Sequence, residues 1–191
     1  MSLVARIKGI LLAPKGEWTI IDSEPATVAS LYSGYIIPLA AIPPIAGFIG
    51  MSIFGYGVFG STIRIPIMSG LTSAVVQYAS GLIAVFLLAL IADALAPSFG
   101  GQKNQIQALK VSAYASTAVW VAGIFQMVPG LRVLGLLGLY SLYLLFLGLP
   151  VLMKAPEEKA SGYTVVVVIA AVVLFFVVGT IGSQLTGYGR Y

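Results

Sequence analysis

Residues 163–182 read YTVVVVIAAVVLFFVVGTIG, twenty consecutive positions without a charged side chain. Valine favours β-strands in water-soluble proteins. An isolated strand in lipid, however, leaves its backbone N–H and C=O groups without hydrogen-bond partners. A helix of about 20 residues at about 1.5 Å per residue crosses a hydrocarbon core of about 30 Å. Because length outweighs propensity here, the stretch predicts a transmembrane helix.

The rest of the chain repeats this pattern. Five uncharged stretches of 21 to 39 residues separate its charged clusters. Only 8% of the residues are charged and 59% are hydrophobic, whereas about 25% of the residues in a soluble domain are charged. This composition excludes an ordinary soluble globular domain. The predicted fold is all-α, a polytopic membrane helical bundle. Its five predicted spans cover residues 29–50, 70–92, 108–128, 131–152 and 163–182.

Residues 1–28 predict a cytoplasmic, amphipathic segment ahead of the first span. Four apolar residues recur there at helical spacing, namely Leu3, Ile7, Ile10 and Leu11. This spacing predicts an interfacial helix whose Arg6 and Lys8 reach anionic headgroups and which ends at Pro14. A mobile cytoplasmic tail is the alternative interpretation.

The first predicted span contains Pro38, Pro43 and Pro44. Proline cannot complete a helical hydrogen-bond ladder, so this span is expected to be kinked, broken or re-entrant. Aromatic residues near its start predict an interfacial belt: Trp18, Tyr32 and Tyr35. The glycine-rich stretch 50–60 that follows predicts a flexible loop on the outer face.

Lysine and arginine are distributed unequally between the two predicted sides. The side of the N-terminus carries seven: Arg6, Lys8, Lys15, Lys103, Lys110, Lys154 and Lys159. The other side carries three: Arg64, Arg132 and Arg190. The positive-inside rule then predicts five spans with a cytoplasmic N-terminus and an extracytoplasmic tail at 184–191.

The composition restricts the possible chemistry. Histidine and cysteine are absent, which excludes disulfides, thiolate and imidazole catalysis and the usual zinc sites. The basic residues are scattered without a patch, so no nucleic-acid partner is predicted. Residues 55–60 match G-x-G-x-x-G, but Gln77 and Tyr78 stand where a dinucleotide site needs an acid. No catalytic, cofactor or metal residue is predicted.

Six positions are nonetheless candidates for function: Pro38, Pro43, Pro44, Asp93, Tyr114 and Gln126. Asp93 is a candidate because ionisable groups at membrane depth are often functional. The favoured interpretation places Asp93 at the cytoplasmic interface, solvated or paired with Lys103 or Lys110. Polar groups such as Tyr114 and Gln126 either line a solute path or, as is more common, form hydrogen bonds between helices.

Several segments together resemble a known family. They are Pro14, Trp18, Ile20 and Glu24; Tyr35 and Pro38-Leu39; Phe99-Gly-Gly101; Ala113-Tyr-Ala-Ser-Thr117; Pro129; Tyr140-Ser-Leu-Tyr143; Gly148-Leu-Pro150; Met153-Lys154; Pro156; and Lys159-Ala160. In order and spacing they resemble the bacterial branch of the Yip (Ypt-interacting protein) family. The resemblance implies five spans with a cytoplasmic N-terminus. Eukaryotic members bind Rab GTPases through a long cytoplasmic arm, and only about 28 residues precede the first span here, so Rab binding is not carried over.

The leading hypothesis is a non-enzymatic inner-membrane protein that acts by helix packing and by contact with lipid, a second copy or another membrane protein, in membrane organisation. No small-molecule substrate is identified. The alternative is a small transporter, channel or lipid-moving protein that uses the proline-broken first span. An intramembrane enzyme ranks third, because it would work without histidine or cysteine.

Overall fold

The computed structural model describes residues 2–58 and 61–186. Within these residues, five helices are long and apolar enough to cross a bilayer. In order, these first to fifth spans are Val28–Phe54, Ile67–Phe99, Gln105–Met127, Pro129–Leu152 and Glu157–Thr180. The predicted all-α polytopic bundle is confirmed.

Most spans are longer than predicted because their helices begin before the apolar core. The third begins at Gln105, where the Asn104 side chain accepts a hydrogen bond from the Gln107 N–H at 3.1 Å. The fifth begins with the acidic residues Glu157 and Glu158, which the positive end of the helix dipole stabilises. Its helix continues to Thr186, so it includes the start of the predicted tail, whose remainder lies outside the described residues.

The first span follows a continuous helical path with two irregular turns. Short α-helical segments alternate with π-helical turns at Tyr32–Ile36 and Ile49–Phe54. Pro38 and Pro43 each lie in the first turn of a new α-helical segment, where the missing N–H has no helical partner to lose. The expected break is therefore a series of local adjustments in the hydrogen-bond ladder.

The glycine-rich outer stretch was predicted as a flexible loop, and this is wrong for the parts described. Residues up to Phe54 extend the first helix. Gly55 then adopts a φ of +80°, and strand β1, Tyr56–Val58, pairs antiparallel with β2, Ser61–Ile63. The pairing satisfies backbone groups that a loop would leave to water.

The third span is the most buried of the five and contacts the first, second and fourth. The fifth packs against the second and fourth. Pro129 follows the extended residue Val128, and the fourth span returns antiparallel along the third. The fourth span starts as a 3-10 helix, Pro129–Leu139, and continues as an α-helix, Tyr140–Leu152.

The N-terminal segment forms two helices, where one was predicted. Helix α1 covers Leu3–Leu12 and helix α2 covers Pro14–Ser23; together they are called the N-terminal hairpin. Pro14 does not end the structured segment. It begins α2, because the first position of a helix tolerates the absence of an N–H.

Candidate functional site

The apolar stripe of α1 faces the helical bundle. Ile10 is fully buried, and Leu3, Ile7 and Leu11 pack against the same core. Val4 and Leu12 lie outside this stripe and are exposed. The apolar stripe of the predicted interfacial helix therefore packs against the spans. The position of the helix at the membrane interface stays a prediction.

Arg6, a residue of helix α1, is at the centre of a buried ionic cluster. Its guanidinium forms ion pairs with Glu17, at 2.5 Å between Nη1 and Oε1, and with Glu24. The side chains of Arg6 and Glu17 are each only 6% exposed, whereas that of Glu24 is 39% exposed. The guanidinium also lies over the ring of Tyr114, 5.5 Å from its centroid. Arg6 was expected to reach headgroups of the surrounding bilayer; the two carboxylates instead hold its side chain inside the protein.

The charge state of Arg6 follows from these neighbours. Burial alone lowers the pKa of the guanidinium, but the hydrogen bond and charge of Glu24, with smaller contributions from Tyr114 and Glu17, outweigh that effect. The net result is a pKa above the ordinary value for arginine. Arg6 therefore stays cationic wherever the protein is folded.

Lys110 joins the third span to the end of α2. Its Nζ donates hydrogen bonds to the carbonyl oxygens of Ile21, at 2.8 Å, and Glu24, at 2.6 Å. These carbonyls lie at the C-terminal end of α2, where the helix has unpaired acceptors and a partial negative charge. Of the alternatives given for Asp93, pairing with Lys110 is not what the structure shows, because these carbonyls bind the ammonium group.

Asp22 connects the hairpin to two further parts of the bundle. Its carboxylate accepts a hydrogen bond from Gln107 Nε2 at 2.9 Å and forms an ion pair with Lys154 Nζ at 2.5 Å. Lys154 has a φ of +54°, which side-chain-bearing residues rarely adopt. These contacts bring the hairpin, the start of the third span and the loop between the fourth and fifth spans to one end of the bundle.

Aromatic side chains pack beside the ionic cluster. Trp18 is fully buried and meets the ring of Tyr114 edge-on, with centroids 6.4 Å apart. Tyr35 packs against Tyr114 at 4.6 Å, and its hydroxyl shares a 2.7 Å hydrogen bond with Thr117 Oγ1. The predicted interfacial belt is wrong for Trp18 and Tyr35, because both lie in the core. Tyr32 is half-buried and donates to the Leu82 carbonyl.

A cavity of about 180 Å³ lies between α1, the first span and the third span. Its lining combines charged, polar and aromatic groups, among them Arg6, Glu24, Ser30, Gly34, Tyr35, Lys110 and Tyr114. Of the six predicted candidate positions, this cavity contains one, Tyr114.

Asp93 lies elsewhere, near the end of the second span. Within the described part of the chain, its Oδ1 is buried and has no hydrogen-bond partner, and Asp93 forms no ion pair with Lys103. The neighbouring Ala92 carbonyl accepts a hydrogen bond from the Tyr163 hydroxyl at 2.5 Å. Asp93 thus lies where the second and fifth spans meet.

The remaining candidates lie on the first span and at the end of the third. A Cβ at Gly123 would lie 2.6 Å from Pro43 Cγ, so the two helices are in close contact there. Gly50 lies against the backbone carbonyl of Gln126 in the same way. Pro44 is buried, whereas Pro38 is exposed. Pro43 and Gln126 thus both lie where the first span packs tightly against the end of the third, and neither lines the cavity.

Sequence reasoning missed most of the ionic cluster: Glu17, Asp22 and Glu24 were not considered as a set. A signal was present, since these three are half of the six acidic residues in the chain and fall within eight positions. Among the residues that the structure describes, no three acidic side chains converge in a way that suits a metal ion.

Comparisons with known proteins agree with the fold. The Yip1 domain family matches residues 8–179. Two relatives are named inner membrane protein YohC, one from Escherichia coli strain K12 and one from Escherichia coli O6:H1. Each is 24% identical over 191 residues, which is 97% of this chain and 98% of the relative. No solved structure matches the chain. Because the family match covers nearly the whole chain and five apolar helices accompany it, this integral membrane protein belongs to the Yip1 domain family.

Proposed function

We propose that the protein is a non-enzymatic component of the inner membrane that acts by binding lipid or a membrane-protein partner at the end of the bundle formed by the N-terminal hairpin. Two relatives named as inner membrane proteins support this location. The single observation that carries the proposal is the hairpin itself, which is docked on the spans and adjoins a polar cavity.

The polar groups of the cluster support a binding role over catalysis. Arg6 is held by two carboxylates, and Lys110 by two backbone carbonyls. Tyr35 is hydrogen-bonded to Thr117. A general base or nucleophile needs a partner poised to exchange a proton with a substrate. Groups fixed in structural contacts instead shape a surface.

The packing of the first span supports interaction over transport. Pro43 and Gly123 are in direct contact, and Gly50 closes against Gln126. A solute path beside the prolines would need space between these helices.

To test the proposal, the protein is purified in mild detergent, its stable partners are identified after cross-linking in membranes, and the purified chain is reconstituted into liposomes. A retained membrane partner or homo-oligomer supports binding, and solute flux through the isolated chain contradicts it.

The proposed orientation has a cytoplasmic N-terminus and an extracytoplasmic C-terminus. Contacts of Asp22 with Gln107 and Lys154 support placing three basic segments of the chain on one side. Seven of the ten lysines and arginines belong to that side, as cytoplasmic segments require. A reporter fused to the C-terminus tests this, since activity specific to the cytoplasm would contradict it.

Asp93 favours the second candidate function, a small transporter or lipid-moving protein. Burying a carboxylate oxygen without a hydrogen bond costs free energy. Ionisable groups within membrane spans are often part of a path for ions or substrates. Flux in liposomes that falls on Asp93→Asn or Pro43→Ala would support this candidate. Absence of flux, or flux unchanged by both substitutions, would remove it.

A further inference from the structure

The charges around the cavity are balanced. Arg6 and Lys110 supply two positive charges, and Glu24, together with Glu17 behind Arg6, supplies two negative ones. A simple anion would meet the carboxylate of Glu24, and a simple cation would meet Arg6 and Lys110. A ligand that carries both charges on neighbouring atoms suits this lining best.

The cavity opens toward the outside of the first span. Ser30 and Gly34 line it and are also exposed. A Cβ at Gly34 would meet no atom within 4 Å, so the space in front of this glycine is open. Pro38, one turn further along the same helix face, is exposed as well. An open path therefore leads from the charged cavity along a surface that faces lipid.

The position of the cavity along the spans corresponds to the headgroup region. It lies beside the residues that precede the first span at Val28 and beside Lys110, near the start of the third. Basic residues near span ends typically lie at the level of the lipid phosphates. A volume of about 180 Å³ equals the liquid volume of about six waters, enough for a compact headgroup.

From this geometry we propose that the cavity binds the headgroup of a zwitterionic phospholipid with a primary ammonium group, phosphatidylethanolamine. Lys110 and Arg6 face the phosphate, and the half-exposed carboxylate of Glu24 accepts hydrogen bonds from the ammonium. One acyl chain follows the exposed face at Gly34 and Pro38. A choline headgroup has the same charge but no N–H to donate, so the cavity discriminates against it. This inference rests on the proposed function and names the lipid class that it involves.

The test uses the purified full chain and native mass spectrometry with phosphatidylethanolamine, phosphatidylcholine and phosphatidylglycerol of identical acyl chains. We expect one retained phosphatidylethanolamine per chain, favoured over the other two by about tenfold, the value of one charge-assisted hydrogen bond. Gly34→Leu blocks the opening and lowers retention by a similar factor. The matched control is Gly179→Leu, which also has free space at its Cβ but lies on the fifth span.

A second variant keeps the test valid if Gly34→Leu does not fold. Glu24→Gln preserves an oxygen acceptor for Arg6 and removes the negative charge, so the preference for phosphatidylethanolamine over phosphatidylcholine should fall. Equal retention of all three lipids, or a preference that neither variant changes, overturns the proposal. Displacement by soluble glycerophosphoethanolamine as effective as displacement by the lipid overturns the assignment to a lipid. Solute flux by the wild-type chain refutes the proposed function separately and leaves these lipid measurements interpretable.

Discussion

Replacing Arg6 by methionine removes the cation from the buried cluster and keeps a long, flexible side chain in its place. The carboxylate of Glu17 then remains in a site where it is only 6% exposed, without its ion-pair partner. Glu24 loses the same partner but is 39% exposed, so water compensates for much of that loss.

The expected cost comes mainly from Glu17. Removing one member of a buried ion pair destabilises a protein by about 3 to 5 kcal/mol, because a charge is left buried and uncompensated. The partly exposed pair with Glu24 adds less than about 1 kcal/mol. Removing both buried charges, by Arg6→Met with Glu17→Leu, should recover most of the loss, since an apolar pair of similar volume is often neutral.

The assay is the free energy of unfolding of the full chain in mixed micelles, measured for both single variants and the double variant. Lys8→Met on the exposed face of α1 is the matched control and should change the free energy by no more than about 0.5 kcal/mol. An Arg6→Met protein as stable as the Lys8→Met protein would refute the buried ion pair. A double variant that is destabilised by the sum of the two single changes would refute the coupling between the two side chains.

Three further predictions use the same assay. Gly9→Ala should destabilise by about 1 to 3 kcal/mol, because its methyl group overlaps the buried carboxylate of the cluster, whereas Gly16→Ala, with free space around it, should stabilise by up to about 1 kcal/mol. A Gly9 variant that behaves like the Gly16 variant would contradict this. Gly148→Val should cost about 1 to 3 kcal/mol, since a Cβ there lies 2.7 Å from the Trp18 ring; an unchanged free energy would show that the ring is not packed at this position. Lys110→Met leaves two carbonyls at the end of α2 unpaired and should cost about 1 to 3 kcal/mol, and a neutral result would contradict that anchoring role.

The spans could be predicted from sequence because lipid imposes one strong requirement. A helix must satisfy its own backbone and exclude charge over about 20 residues, and residues 163–182 meet that requirement without reference to any neighbour. The resemblance to the Yip family also rested on short segments of sequence that can be recognised without the structure. The family match over residues 8–179 confirms it.

The hairpin could not be predicted in the same way, because its burial depends on tertiary contacts. Arg6 alone looks like a residue for headgroups, and only the approach of Glu17 and Glu24 makes its burial favourable. An apolar stripe at helical spacing fits a bilayer or a protein surface equally well. Trp18 likewise has no sequence feature that separates an interfacial belt from a core position against Gly148.

The central claim is that the N-terminal hairpin is docked on the spans, and cross-linking in native membranes tests it most directly. The chain contains no cysteine, so Asp22→Cys with Lys154→Cys introduces the only thiol pair. These side chains are in contact, 2.5 Å apart between Oδ2 and Nζ, so a short bis-maleimide should join them efficiently. Asp22→Cys with Arg64→Cys is the control that should not react, because Arg64 precedes the second span whereas Asp22 contacts Gln107 near the start of the third, at the other end of the bundle. Efficient cross-linking of the first pair alone is the predicted result, and failure of that pair to cross-link above the control would contradict the docked hairpin.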